Sequence, residues 1–462
     1  MDAPRWFDEA TAAAVDRWLE YRTWHSRTPG AQVAIGLAGD VLFSRAYGFA
    51  DLTAQVPLRE DHLFRIASHS KTFTATVVLQ LVQSGRVRLD DAIGQHVPQL
   101  AGDHQLGEIA VRELLEHTGG VLRDGLDADY WQFDRPFPEH DELLDLVRAG
   151  GVKSAPGERF AYSNLGYSLL GLLIEAATGV PYGQAVADRI VEPLGLQNTA
   201  ADYLFDRADD YAAGHSGLHN AGSRHRLEHI PTQAMAAATG FTSTARDLVA
   251  YFTAHRLGDE RLLTDRTKRL QQRRANDTDP RDSDAGGYGW GMVLDEVDGQ
   301  KFVGHSGGYP GHITKTLLDP TTGLVVSVLT NAIDGPATAL ARGVVQLLAR
   351  ARKNADESGS AEAAGLGESA LARTGRYAST WSVMDLAALG GRLTVLHPTG
   401  WLPLEGAAEL SEVGDGSFRI EVESGFGSVG ELVTFQAADD DITSMRYGGM
   451  SLQPLRELPV GE

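Results

Sequence analysis

The distribution of apolar and polar positions divides the chain into distinct stretches. Residues 8 to 27 carry apolar positions at helical spacing, and Gln32-Val33-Ala34-Ile35-Gly36-Leu37 with Val41-Leu42-Phe43-Ser44 flank Gly39-Asp40 as a predicted hairpin. Thr72 to Val82 is apolar nearly all round, the mark of a buried helix, and Gly85 closes it. A largely helical middle follows, including the run Leu165 to Glu175. Strand signals return from about Tyr288 to Thr330, and Ala337 to Arg352 reads as a last helix. Strands at both ends of this segment with helices between them predict one sheet assembled from both ends, a helical subdomain, and a site at their junction.

After Arg352 the residues become small and polar, as in Lys353-Asn354-Ala355-Asp356-Glu357-Ser358-Gly359, which predicts a linker. From Gly375-Arg376-Tyr377 to Pro454 short alternating runs such as Ser417 to Val422 and Leu432 to Phe435 are punctuated by Gly and Asp, the pattern of a small antiparallel barrel or sandwich. The expected class is α+β: an antiparallel sheet flanked by helices plus an all-helical subdomain over residues 1–352, a linker over 353–372, and a small all-β barrel over 373–462.

Three short motifs carry the candidate chemistry. Ser68-x-x-Lys71 is the only Ser-x-x-Lys in the sequence and opens the predicted buried helix, so a helix starting at Ser68 puts hydroxyl and amine on one face. Such a helix N-terminus also favours an alkoxide or oxyanion. Tyr162-x-Asn164, the only Tyr-x-Asn, follows the turn signal Pro156-Gly157 and precedes a helical run. In an extended lead-in the two side chains face one cleft. The third motif, His305-Ser306-Gly307, has rivals in His117-Thr118-Gly119 and His215-Ser216-Gly217, but it alone lies among predicted strands. Read without its neighbours, Ser68 is a helix cap and Tyr162-x-Asn164 a surface turn.

Two competing constellations fail on context. Gly304-His305-Ser306-Gly307-Gly308 spells the Gly-x-Ser-x-Gly nucleophile elbow, which requires a strand, a sharp turn and a helix, whereas strand-like residues follow here. His215, His219, His225 and His229 fall close together, but Gly and Arg intervene, no His-Glu-x-x-His is present and the chain has no Cys. No cofactor or metal is expected. The aromatic run Tyr130-Trp131-Gln132-Phe133 is a candidate lining for an acyl pocket, with packing under a loop as its other use.

Together the three motifs, in this order, resemble the serine β-lactamase and penicillin-binding-protein superfamily, particularly class C-like members such as D-aminopeptidases, D,D-peptidases and family VIII carboxylesterases. Leu114 to Gly120, Gly240 to Leu248 and Tyr288-Gly289-Trp290-Gly291 look similar to that group as well. The resemblance implies that Ser68 attacks a carbonyl carbon and that Lys71 and Tyr162 relay its proton to the leaving group; which of the two is the base stays open. It implies that Asn164 holds the acyl side of the substrate and that backbone N–H groups of Ser68 and Gly308 form the oxyanion hole, with Gly307 and Tyr309 beside them. His305 stands where many relatives carry Lys, so a fixed positive charge for a substrate carboxylate is missing, and neutral esters and amides are expected to be better tolerated. Some members carry a lipocalin-like C-terminal barrel; if the barrel here covers the cleft, Arg446 is placed to supply that charge.

Composition alters this picture little. The 462 residues are 42% apolar and 22% charged, ordinary for a globular enzyme, and a formal net charge of −21 disfavours nucleic acid and anionic membranes as partners. Neither an apolar signal core near Met1 nor a run of about 18 apolar residues is present, so a cytoplasmic protein is expected. The leading reading is a serine hydrolase with a small-molecule or peptide substrate, cleaving D-amino-acid peptides, amides or short-chain esters through an acyl-enzyme on Ser68. Its alternatives are a penicillin-binding-protein-type thioesterase that cyclises peptides by transfer to an amine, and a non-catalytic binding protein on the same fold. Oligomeric state is left open.

Overall fold

The computed structural model describes residues 4–218, 222–278, 286–357, 366–414, 416–422, 429–438 and 441–455. Its contacts divide the chain into two compact units, Thr28–Ala341 and a second made of Met1–Arg27 with Arg342–Glu462.

The first unit begins with the predicted hairpin, Gly30–Leu37 against Asp40–Asp51. Its turn falls on Ala38-Gly39, one residue earlier than expected, with φ of 54° and 109°. A two-residue turn with both central residues left-handed matches the twist of the strands it joins. The sheet runs in the order Val56–Pro57, Asp40–Asp51, Gly30–Leu37, Leu324–Thr330, His312–Leu318, Gln300–Tyr309, Val293–Val297, Gly287–Tyr288. All neighbours are antiparallel. Chain segments some three hundred residues apart meet where Val33 faces Val328 and Ile35 faces Val326, β-branched pairs that stabilise a pleated contact. Leu324–Thr330 is buried at every position, which explains a continuous rather than alternating apolar run.

Against this sheet lie the helices. Ser70–Gln83 is enclosed, and its Phe73 stacks on Tyr251 at 3.7 Å between ring centroids and on Phe241 at 4.3 Å. Burying one such side chain contributes about 2–3 kcal/mol. The helix does not begin at Ser68: Ala67–His69 form a 3-10 turn and the α-helix starts at Ser70.

In the second unit eight antiparallel strands close into a barrel, from Gly375–Ala378 to Met450–Pro454, with Tyr377 paired to Pro454. Alternate residues such as Leu386 and Ala388, Leu393 and Val395, and Phe418 and Ile420 fill its interior, as a period of two demands. The helix Glu9–His25 belongs to this unit: Arg22 lies 3.7 Å over the Trp401 ring and donates to Thr399 O at 2.6 Å. Among the described residues no single helix is long and apolar enough to cross a membrane.

Candidate active site

Ser68 is held by a turn that the local sequence does not favour. Ile66 N donates to Phe241 O at 2.8 Å, anchoring the chain as it enters. Ala67 then takes φ of 48°, a left-handed conformation rare for non-glycine residues and tolerated where surrounding bonds impose it. Ser70 Oγ supplies one such bond, accepting from Phe241 N at 3.0 Å, and buried His69 supplies another through Nε2 and Thr316 Oγ1 at 3.0 Å. The strand Gln300–Tyr309 approaches this turn backbone to backbone at Gly307, where a Cβ would lie 2.1 Å from Ile66 O. Glycine is required there by space rather than by φ.

Lys71 is fully buried. Its Nζ lies 3.2 Å from Ser68 Oγ, 2.7 Å from Asn164 Oδ1 and 2.8 Å from Ala238 O. Burial holds its pKa well below the ordinary lysine value; the Asp124 carboxylate opposes this shift and the Arg123 guanidinium adds to it. Its three neighbours can all accept, as an ammonium requires. Asn164 Nδ2 donates to Asp124 Oδ1 at 2.7 Å, and because a carboxylate only accepts, this bond turns Asn164 Oδ1 toward Lys71. Ala238 O is likewise only an acceptor. In its neutral form the amine spends both N–H groups on Asn164 and Ala238 and turns its lone pair to the Ser68 hydroxyl.

Tyr162 and Asn164 straddle Ser163, whose Oγ accepts from Gly166 N and caps the helix Asn164–Thr178. The Tyr162 ring stands 4.7 Å from Lys71 Nζ and lies tilted against His117 with ring centroids 4.2 Å apart. His117 Nδ1 accepts from Ser163 N at 3.1 Å, and burial, followed by the charges of Lys71, His305 and Arg123, holds this histidine well below its usual pKa. His305 donates from Nδ1 to Ser306 O at 2.6 Å, with Nε2 3.2 Å from the Tyr288 hydroxyl. Its ring is engaged on both sides, unlike a flexible lysine ammonium.

Ser68, Tyr162, Asn164, His305 and Gly308 line one cavity of about 450 Å³. Gly307 and Tyr309 do not: Gly307 is packed against Ile66, and the buried Tyr309 hydroxyl donates to Ile230 O at 3.0 Å. Arg446 lies in the second unit on Asp441–Tyr447, donating to Gly449 O at 2.9 Å. Ser306 borders the cavity from mid-strand, paired with Lys315, without a turn into a helix. Of the histidine group, His219 lies outside the described residues, His215 Nε2 accepts from Leu52 N, and His229 Nε2 donates to Ala212 O. Another cavity of about 460 Å³, beside Glu175 and Tyr182, has no Ser or Lys in its lining.

Trp131, from the aromatic run, lines the cavity near Ser68, whereas the Tyr130 hydroxyl donates to Asp124 O. Arg123, Asp124, Phe160 and Thr278 also line it, and sequence reasoning did not single them out. Only the position of Arg123-Asp124, just after the His117-Thr118-Gly119-Gly120 turn, hinted at them.

A family model described as Beta-lactamase matches residues 14–351. Protein flp of Staphylococcus aureus (strain MW2) is 32% identical over 190 residues, which are 40% of this chain and 37% of that protein. This chain thus matches well under half the length of that relative. The structure of D-amino acid amidase from Ochrobactrum anthropi SV3 complexed with L-phenylalanine is similar with a TM-score of 0.63 and 27% identity, covering 75% of this chain and 99% of the amidase. The octameric penicillin-binding protein homologue from Pyrococcus abyssi shares the fold over 95% of this chain and 99% of its own, with a TM-score of 0.65 and 22% identity.

Proposed function

The chain belongs to the Beta-lactamase family, and on that premise we propose that it is a serine hydrolase that cleaves amides and esters, D-amino-acid amides and peptides among them, through an acyl-enzyme on Ser68. The observation that carries this reading is the buried Lys71 amine, with its two acceptors at 2.7 and 2.8 Å and Ser68 Oγ at 3.2 Å. Ser68 Oγ attacks the carbonyl carbon as its proton passes to the Lys71 lone pair, and the carbonyl π electrons move onto oxygen. That oxyanion takes hydrogen bonds from the backbone N–H groups of Ser68 and Gly308. Collapse restores the carbonyl and breaks the bond to the leaving amine or alkoxide, which receives the proton through Lys71 and Tyr162. Water then repeats the sequence on the ester and frees Ser68.

Two further points support it. A base is most effective when its pKa lies near the working pH, and burial moves Lys71 in that direction. The solved structure of a D-amino acid amidase, 27% identical, supports amides of amino acids as the substrate class. Ser68→Ala and Ser306→Ala, assayed separately on D-phenylalanine amide and p-nitrophenyl butyrate, test the reading. Loss of both activities in Ser68→Ala with turnover retained in Ser306→Ala is expected; the reverse pattern overturns it.

A further inference from the structure

Asp124 reaches the cavity from a loop and carries one committed oxygen. Its Oδ1 accepts from Asn164 Nδ2 at 2.7 Å and from Trp131 Nε1 at 3.1 Å. Its Oδ2 lies 3.4 Å from Arg123 Nε, well beyond the roughly 2.7–2.9 Å of a good charge-assisted bond. The Arg123 side chain is 69% exposed, and an exposed, long pair of this kind contributes little. The Asp124 side chain itself is only 16% exposed and borders the cavity together with the half-buried rings of Trp131 and Phe160. A carboxylate largely withdrawn from water, with one oxygen weakly engaged and aromatic rings nearby, suits a primary ammonium.

Resting on the acyl-enzyme reading, we propose that Asp124 Oδ2 binds the α-ammonium of the substrate's acyl part, so that the site selects amides and esters of amino acids with a free α-amine over N-acylated ones. The reach is right. An α-nitrogen sits about 2.5 Å from its carbonyl carbon, that carbon stands about 3–3.5 Å from the attacking oxygen, and the ion pair adds about 2.8 Å. On the protein side three consecutive hydrogen bonds of 3.2, 2.7 and 2.7 Å link Ser68 through Lys71 and Asn164 to Asp124. A cation bound at Asp124 also offsets the carboxylate charge that favours a protonated Lys71, and so promotes the amine form when substrate is present.

The test compares p-nitrophenyl esters of D-phenylalanine and of N-acetyl-D-phenylalanine on the full-length protein. Wild type is expected to prefer the free amine, and Asp124→Asn to lower the ratio of the two kcat/KM values by about 100-fold, the cost of an ion pair of roughly 2.7 kcal/mol. The ratio cancels whatever the substitution costs Asn164 and Lys71, so an unmoved ratio makes Asp124 a purely structural group and overturns the proposal. Should the variant fail to fold, wild type alone decides. Its KM for the free amine, and not for the N-acetyl ester, is expected to rise as pH passes the α-amine's own pKa of about 7.7–8.0; parallel profiles, or no preference for the free amine, overturn it. Retained turnover in Ser68→Ala would instead sink the acyl-enzyme reading, which separates the two failures.

Discussion

Gly307→Ala inserts one methyl group where the strand Gln300–Tyr309 meets the turn that carries Ser68. Its Cβ would lie 2.1 Å from Ile66 O and 2.5 Å from Thr314 Oγ1, whereas carbon and oxygen come no closer than about 3.3 Å in a favourable contact. The Thr314 hydroxyl can rotate away, but the Ile66 carbonyl is backbone, so strand and turn must separate by about 1 Å. Ile66 is two residues before Ser68, and Gly308 follows Gly307, so the two proposed oxyanion donors move apart together. Misplacement by about 1 Å costs on the order of 100-fold in rate, or about 2.7 kcal/mol of transition-state stabilisation. Overpacking adds about 1–3 kcal/mol of lost stability. Steady-state kinetics on a p-nitrophenyl ester with a thermal melt alongside should show kcat reduced about 100-fold and a lower Tm in a folded protein. A variant with kcat within threefold of wild type and an unchanged Tm would refute the close approach and its link to the oxyanion site.

Lys71→Arg puts a permanent cation in its place and presents no lone pair at any working pH, so kcat/KM at pH 7 should fall by about 10³-fold. In wild type, log kcat/KM should rise with pH and level off well under the ordinary lysine value of 10.5 as buried Lys71 loses its proton; an acid limb persisting to pH 10 would contradict this. Burial lowers both His229 and His255 to about 3 from 6.5, so both stay neutral in the fold and take up protons on unfolding below pH 6.5. Stability present above pH 6.5 should be lost on acidification toward pH 3, at about 1.4 kcal/mol per pH unit for each histidine. Urea unfolding at pH 7.5 and 5.5 measures it, with a shallower loss in His255→Gln, and a flat profile would contradict it. In the second unit, Gly343→Ala would place Cβ 2.1 Å from Trp18 Cη2; a melt should show destabilisation of about 1–3 kcal/mol, and an unchanged Tm would count against that packing.

Elements whose apolar period is set locally were legible: the hairpin, the enclosed helix Ser70–Gln83 and barrel strands such as Ser417–Val422. The turn at Ser68 was not, because the left-handed Ala67 is imposed by bonds to Phe241, more than 170 residues away. The pairs Ser68 with Lys71 and Tyr162 with Asn164 were legible as neighbours because short spacing along the chain keeps their side chains together. Asp124 escaped notice since its partner Asn164 is 40 residues distant, and Ala238 contributes through a backbone carbonyl that leaves no mark on residue type. Tyr309 shows the opposite error. Its place beside Gly308 suggested the site, but Ile230 and the Arg65 guanidinium 4.4 Å above its ring draw it into the interior.

Covalent esterification of one hydroxyl is the central claim, and intact-mass analysis after brief exposure to a fluorophosphonate, followed by peptide mapping, tests it most directly. The account predicts a single adduct on the peptide containing Ser68, abolished in Ser68→Ala and slowed in Lys71→Arg. An adduct on Ser306 or another serine, with Ser68 unmodified in active protein, would contradict it.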